Sequence, residues 1–208
     1  MRTLFIPASS TAAVRLDQEM LRALPKPIGI VTTVQHKNSL KNFKLKNTFF
    51  LGTILGCDLT AVKNVKVKSY LFVGTGSFHP INLALKTNLP VFILDPFTKV
   101  ISELDQSKVK DYRTRKKTNY LKFLRAKTIG ILVSSKPGQQ NLSIAIKLKK
   151  KLDKDSYIFI ADTFDTASLV DFNFVDCFVN TACPRLPESS SVPMINAEDL
   201  GAETLLVK

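Results

Sequence analysis

Short apolar runs alternate with amphipathic stretches along the whole chain, and that alternation predicts the architecture. Strands are expected where β-branched, aromatic and leucine residues cluster between turn-forming ones. These runs are Leu4–Pro7, Ile28–Val34, Thr48–Leu55, Ser69–Val73, Val91–Leu94, Thr128–Val133, Tyr157–Ala161 and Asp176–Asn180. Helical periodicity fills the intervals at Thr11–Leu24, Ile81–Thr87, Ser107–Leu124 and Gln139–Leu152, with Ser10 suited to cap the first of them. Strands joined through helices run parallel, because the crossover returns the chain to the same edge of the sheet. The predicted fold is therefore α/β, with two similar domains of parallel sheet flanked by helices. A lysine-rich helix ends near Arg125–Lys127, which sets the expected domains at 1–125 and 126–208. Each half places a cysteine after an apolar strand, as duplicated domains would. The segment Pro184–Ser191 reads as a loop, and a final helix and tail are expected to be loosely held.

Composition narrows the class of protein. A hydrophobic fraction of 45% in 208 residues is ordinary for a globular chain with a proper core. No run approaches the ~20 apolar residues that a membrane-spanning helix needs. Ser9, Ser10 and Thr11 break up the apolar start, so no signal peptide is expected. Three cysteines are too few and too scattered for a secreted disulfide framework, which points to a reducing cytoplasm. Lysine and arginine number 30 against 17 acidic residues, a net charge of +13. Such a balance suits a polyanion. Here the positive residues are mostly lysines on helix surfaces, without a nucleic-acid motif, so a nucleic-acid partner is not expected. A solvated face or a docking surface for an acidic protein fits the pattern.

The candidate chemistry lies at strand ends, where a parallel sheet gathers its functional loops. Cys57, in Leu55-Gly56-Cys57-Asp58, and Cys183, in Asn180-Thr181-Ala182-Cys183-Pro184-Arg185, both fall there, and thiolates are the soft ligands that iron–sulfur clusters select. Cys177 lies inside the apolar run Val175–Val179 and reads as a core residue. Gly74-Thr75-Gly76 joins a strand to a helix, so its N–H groups suit an anion or carboxylate, although the third glycine of a dinucleotide fingerprint is missing. Gln35, His36 and His79 sit at expected strand ends beside the Cys57 cleft and are assigned to cofactor binding; their spacing with the cysteines matches no compact zinc motif. Lys136 and Gln139 lie in a strand-to-helix loop, and Arg185 lies two residues after Cys183, where its fork suits a carboxylate or anchors the loop.

Several words of this sequence, taken in order, resemble one family. They are Gly29–His36, Gly52–Cys57, Phe72–Pro80 (with Gly76-Ser77-Phe78-His79-Pro80), Leu94–Phe97 and Val179–Arg185. The ordered set is similar to the diphthamide biosynthesis enzymes, the archaeal 2-(3-amino-3-carboxypropyl)histidine synthases, over nearly the whole chain. The resemblance implies a [4Fe–4S] cluster held by three cysteines, one from each of three α/β domains. It also implies transfer of a 3-amino-3-carboxypropyl group from S-adenosylmethionine to a histidine of translation elongation factor 2. By position, Cys57 matches the family's second cysteine and Cys183 its third. Met1–Ala8 resembles the first strand of the second domain, so the family's first domain and its cysteine are expected on a separate polypeptide, with a fragment of a longer chain or an inactive remnant as the alternatives. The resemblance implies a homodimer or a heteromer too. The remaining readings are a non-catalytic partner subunit of the same enzyme, or a phosphate- or nucleotide-binding α/β module.

Overall fold

The computed structural model describes residues 3–12 and 14–201. The chain divides into two compact units between Tyr112 and Arg113, a point inside its longest helix. That helix, α3 (Gln106–Arg125), lends Tyr112 to the core of the first unit and Phe123 to the core of the second.

The first unit holds a five-stranded sheet in the order β2-β1-β3-β4-β5. Its strands are β1 (Ile28–Thr32), β2 (Thr48–Thr53), β3 (Ser69–Val73), β4 (Val91–Leu94) and β5 (Ile101–Glu103). The first four are parallel; β5 adds an antiparallel edge. Every residue of β3 is buried, and its side chains alternate between two cores as the pleat requires. Tyr70 and Phe72 pack with Leu83 and Ala84 of helix α2 (Phe78–Thr87), whereas Leu71 and Val73 pack with Leu21, Leu24, Ile28 and Ile30. Full burial of each such side chain favours folding by about 1.5–3 kcal/mol. Short α1 (Lys37–Leu40) comes directly after a 3-10 turn at Val34–His36.

The second unit repeats the same winding on a smaller scale. Its strands β6 (Thr128–Ser134), β7 (Asp155–Ala161), β8 (Cys177–Asn180) and β9 (Met194–Asn196) lie in the order β7-β6-β8-β9, all parallel. Helix α4 (Leu142–Lys151) crosses from β6 to β7, and α5 (Leu186–Ser189) is a single turn before β9. In both units the order reverses direction after the first strand, which opens a crevice at the carboxyl ends of β1 and β3, and of β6 and β8. No helix among the described residues is long and apolar enough to cross a membrane.

Two expected elements are absent. Leu4–Pro7 is not a strand: Leu4, Phe5 and Ile6 stand exposed, at 82%, 72% and 78%. An apolar run becomes a strand only where a ladder takes its backbone groups, and the nearest backbone bond to that run is Ser10 N–H to the Gln35 carbonyl, 2.9 Å. No helix forms among the described residues of Thr11–Leu24; a run of turns occupies 18–23. The Asp17 carboxylate takes the Met20 N–H at 2.8 Å, and Pro25 and Pro27 stop propagation. Leu21 and Leu24 still reach the core from those turns. Ser10 caps a local turn, accepting from Ala12 N–H at 3.1 Å. Ala13, Met1 and Arg2 lie outside the described residues, as does the expected tail over 202–208; within the described part, Ala197–Asp199 is a 3-10 turn.

Candidate functional site

In the first unit, the approach to Cys57 is shaped by two glycines. The register between β1 and β2 slips between Ile30 and Val31, so Leu51 is an extra residue and Gly52 takes φ +112°. Such a bulge bends the strand and re-aims the residues beyond it. Four residues further on, a Cβ on Gly56 would lie 1.9 Å from the Phe78 ring. Only a glycine lets the loop press against the first residue of α2. The loop closes on itself through reciprocal bonds between Leu55 and Asp58, at 2.9 and 3.2 Å. The Asp58 carboxylate accepts from the Thr60 hydroxyl and N–H, which holds its pKa below the ordinary carboxylate value. Cys57 is left exposed at the tip, on the rim of a cavity of about 460 Å³ that also meets Tyr70, Lys63 and Lys86.

The other strand ends of this unit lie on the same edge of the sheet. His79 comes after Phe78 in the first turn of α2, its ring 5.4 Å from that of Phe78 and 5.8 Å from that of Phe72. Gly74 and Gly76 carry φ of +154° and +79°, as their loop requires. Gly74 already donates its N–H to the Leu94 carbonyl at 3.0 Å, so any anion here would meet Thr75 and the residues after it. Gln35 is exposed, and His36 is buried at 6% exposure. The Nδ1 of His36 is buried with no hydrogen-bond partner among the described residues. Burial lowers the pKa of His36, and the charge of Asp95 pulls it partly back.

In the second unit, the Cys183 loop is tied down on both sides. Thr181 gives its hydroxyl (2.7 Å) and N–H (3.1 Å) to the Leu132 carbonyl, and Asn141 Nδ2 reaches the Thr181 carbonyl at 2.6 Å. That last bond draws the Lys136–Gln139 turn, closed by Gln139 N–H to Lys136 carbonyl at 3.0 Å, toward the cysteine loop. Asn180 Nδ2 donates to the Cys183 carbonyl (2.8 Å) and to Asn196 Oδ1 (2.6 Å). Cys183 itself is partly exposed. Lys136 stands 3.9 Å from Asp162, and Arg185 Nε stands 3.7 Å from Glu188, whose carboxyl is pushed up by burial. Arg185 is thus placed to anchor its own loop. Cys177 is a core residue: it is fully buried, and burial pushes its thiol up to about 12.

Comparison with known proteins identifies the family and agrees with the fold. The sequence model of the diphthamide synthesis protein family matches residues 1–195. The chain belongs to that family. It is 31% identical over 207 residues to the 2-(3-amino-3-carboxypropyl)histidine synthase of Pyrococcus horikoshii, covering 89% of this chain and 59% of the relative. The synthase of Methanocaldococcus jannaschii is 30% identical over 199 residues, covering 89% and 56%. The crystal structure of Dph2 from Pyrococcus horikoshii with a 4Fe-4S cluster superposes with a TM-score of 0.75 at 27% identity, covering 95% of this chain and 63% of that one. The chain therefore spans about 59% of the length of the first of these relatives.

Sequence reasoning missed Asn196 and Asn141 and gave Asn180 no role. A signal was present: Cys177-Phe178-Val179-Asn180 and Met194-Ile195-Asn196 are both short apolar runs ending in asparagine. The sheet pairs those two asparagines in register.

Proposed function

We propose that this chain is a cluster-bearing part of a 3-amino-3-carboxypropyl transferase that modifies a histidine of translation elongation factor 2. Cys57 and Cys183 are its thiolate ligands to a [4Fe–4S] cluster. The observation that carries the reading is the placement of each thiol, in an accessible loop at the carboxyl edge of its own parallel sheet, in a family with a cluster-bearing crystal structure. The donor set fits a soft metal: both are sulfur, both are accessible, and the third cysteine is withdrawn into the core as a neutral thiol. Among the described residues, no group of three or more His, Cys, Asp or Glu gathers at one point. A remaining ligand supplied by a separate chain is our reading, as the family resemblance implies.

When bound, such a cluster supplies the electron that splits the sulfonium–carbon bond of S-adenosylmethionine. The chain's own residues do the holding. The N–H groups after Gly74, with Gly76 providing the turn, suit the carboxylate of the aminocarboxypropyl group. His36 is kept neutral by burial, beside Gln35 and on the edge that bears His79. Gln139 and Arg185 belong to the corresponding edge of the second unit.

Anaerobic iron–sulfide reconstitution tests this directly, with Cys57→Ala and Cys183→Ala beside the parent. The expected result is a [4Fe–4S] spectrum and iron content that either alanine lowers at least about tenfold, and then transfer of labelled aminocarboxypropyl to elongation factor 2. A cluster that forms only with an added first-domain chain would make this a shared enzyme. Cluster content unaffected by both alanines would overturn the ligand assignment, and a scaffold subunit would then be the better account.

A further inference from the structure

The loop that carries Cys183 is held by a chain of amide hydrogen bonds with one possible direction. Ala182 N–H donates to Asn180 Oδ1 at 2.9 Å, which fixes that side chain's oxygen end. Its nitrogen end must then face the Cys183 carbonyl and Asn196 Oδ1. Asn196 is thereby oriented in turn, and its Nδ2 donates to the Pro184 carbonyl at 3.0 Å. Backbone groups anchor both ends of the relay, so neither amide can flip without opposing two oxygens. Asn180 and Asn196 are 2% and 6% exposed, so each bond is made out of water and is costly to leave unmade. The Cys183 carbonyl takes a second bond, from Leu186 N–H at 3.0 Å. Acceptors of the loop are therefore consumed, while the Cys183 N–H makes no hydrogen bond among the described residues. The residue presents a thiol and a backbone donor from a fixed peptide, the arrangement that suits an anionic sulfur-bound group.

We infer that Asn196, from the last strand β9, is the positioning residue for Cys183, acting through Asn180 to hold the cysteine peptide in a binding-ready form before any metal arrives. The consequence for iron rests on the ligand reading above; the positioning of the thiol does not. Cysteine labelling of the metal-free chain separates the two. Maleimide modification is monitored by mass spectrometry at each cysteine, with Cys57 as internal reference and buried Cys177 as the report of global opening.

Asn196→Ala is expected to raise the Cys183 rate by about tenfold, as loss of the buried bonds frees the loop, with Cys57 unchanged within about twofold. Asn196→Asp keeps the acceptor for Asn180 but turns a second oxygen on the Pro184 carbonyl. It should label as fast as the alanine variant at pH 8. At pH 5.5 the Cys183-to-Cys57 ratio should return toward the parent's, since a protonated carboxyl can donate to that carbonyl. A role of merely filling space gives no such pH-dependent rescue. Equal Cys183 rates in parent and both variants would overturn the inference. If Asn196→Ala also exposes Cys177, the two-pH comparison on Asn196→Asp decides. In the reconstituted protein, iron release to a chelator should quicken in Asn196→Ala. If Cys183→Ala leaves iron content unchanged while the labelling result stands, the ligand assignment fails and the positioning role survives.

Discussion

Cys57, Cys177 and Cys183 place the same thiol in three environments, and burial separates their chemistry. Cys177 has no water to stabilise a thiolate and stays protonated; Cys57 stands in solvent at a loop tip; Cys183 is partly covered. His36 shows the same force on a base. Its ordinary pKa of 6.5 is lowered in the fold, so the unfolded chain binds more protons than the native one just below that value. Stability contributed by the neutral ring is thus present at neutral pH and lost as pH falls through about 6.5. Asp95 opposes the loss, since its charge favours the imidazolium. Urea unfolding at pH 7.5 and 5.5 should show the parent losing more stability on acidification than His36→Gln does. An equal loss in both would place the proton uptake elsewhere.

At the level of elements, the Cys57 loop depends on what is missing from Gly56. Gly56→Ala must push the loop or the Phe78 ring aside, since the new methyl would overlap that ring. Overpacking of this kind costs about 1–3 kcal/mol. The expected readouts are a lower unfolding midpoint and weaker iron retention, and the second fails if Cys57 holds no iron. The central strands were readable because β1, β3, β6 and β8 are short apolar runs buried on both faces. Three-residue β5 and β9 were not, being too brief for any period to register. The turn-forming stretch before Pro25 carries a helical pattern, but its backbone found local side-chain partners first. The accessible loop positions of Cys57 and Cys183, and the burial of Cys177, were legible from the sequence alone. Asn196 was not, because its importance lies in a pairing across the sheet that no spacing along the chain encodes.

For the whole molecule, lysines supply most of the positive residues behind the net charge of +13, and several of them stand on helices such as α3. If elongation factor 2 docks on this surface, affinity should weaken several-fold between low and high salt, chiefly through slower association. Binding indifferent to ionic strength would leave the lysines a role in solubility alone. The two units look like copies, since each winds its sheet in the same order. Yet Cys57 lies beyond β2, the outer strand, whereas Cys183 lies beyond β8, the counterpart of β3. Laid one on the other, the two units would put their thiols on different strand ends, and the glycine loop after β3 would fall where the second unit keeps its cysteine. The pseudo-symmetry of the backbone is therefore broken by the positions of the two cysteines. The shared winding sets which edge of each sheet can carry chemistry, and each unit's own sequence sets which strand end carries the thiol.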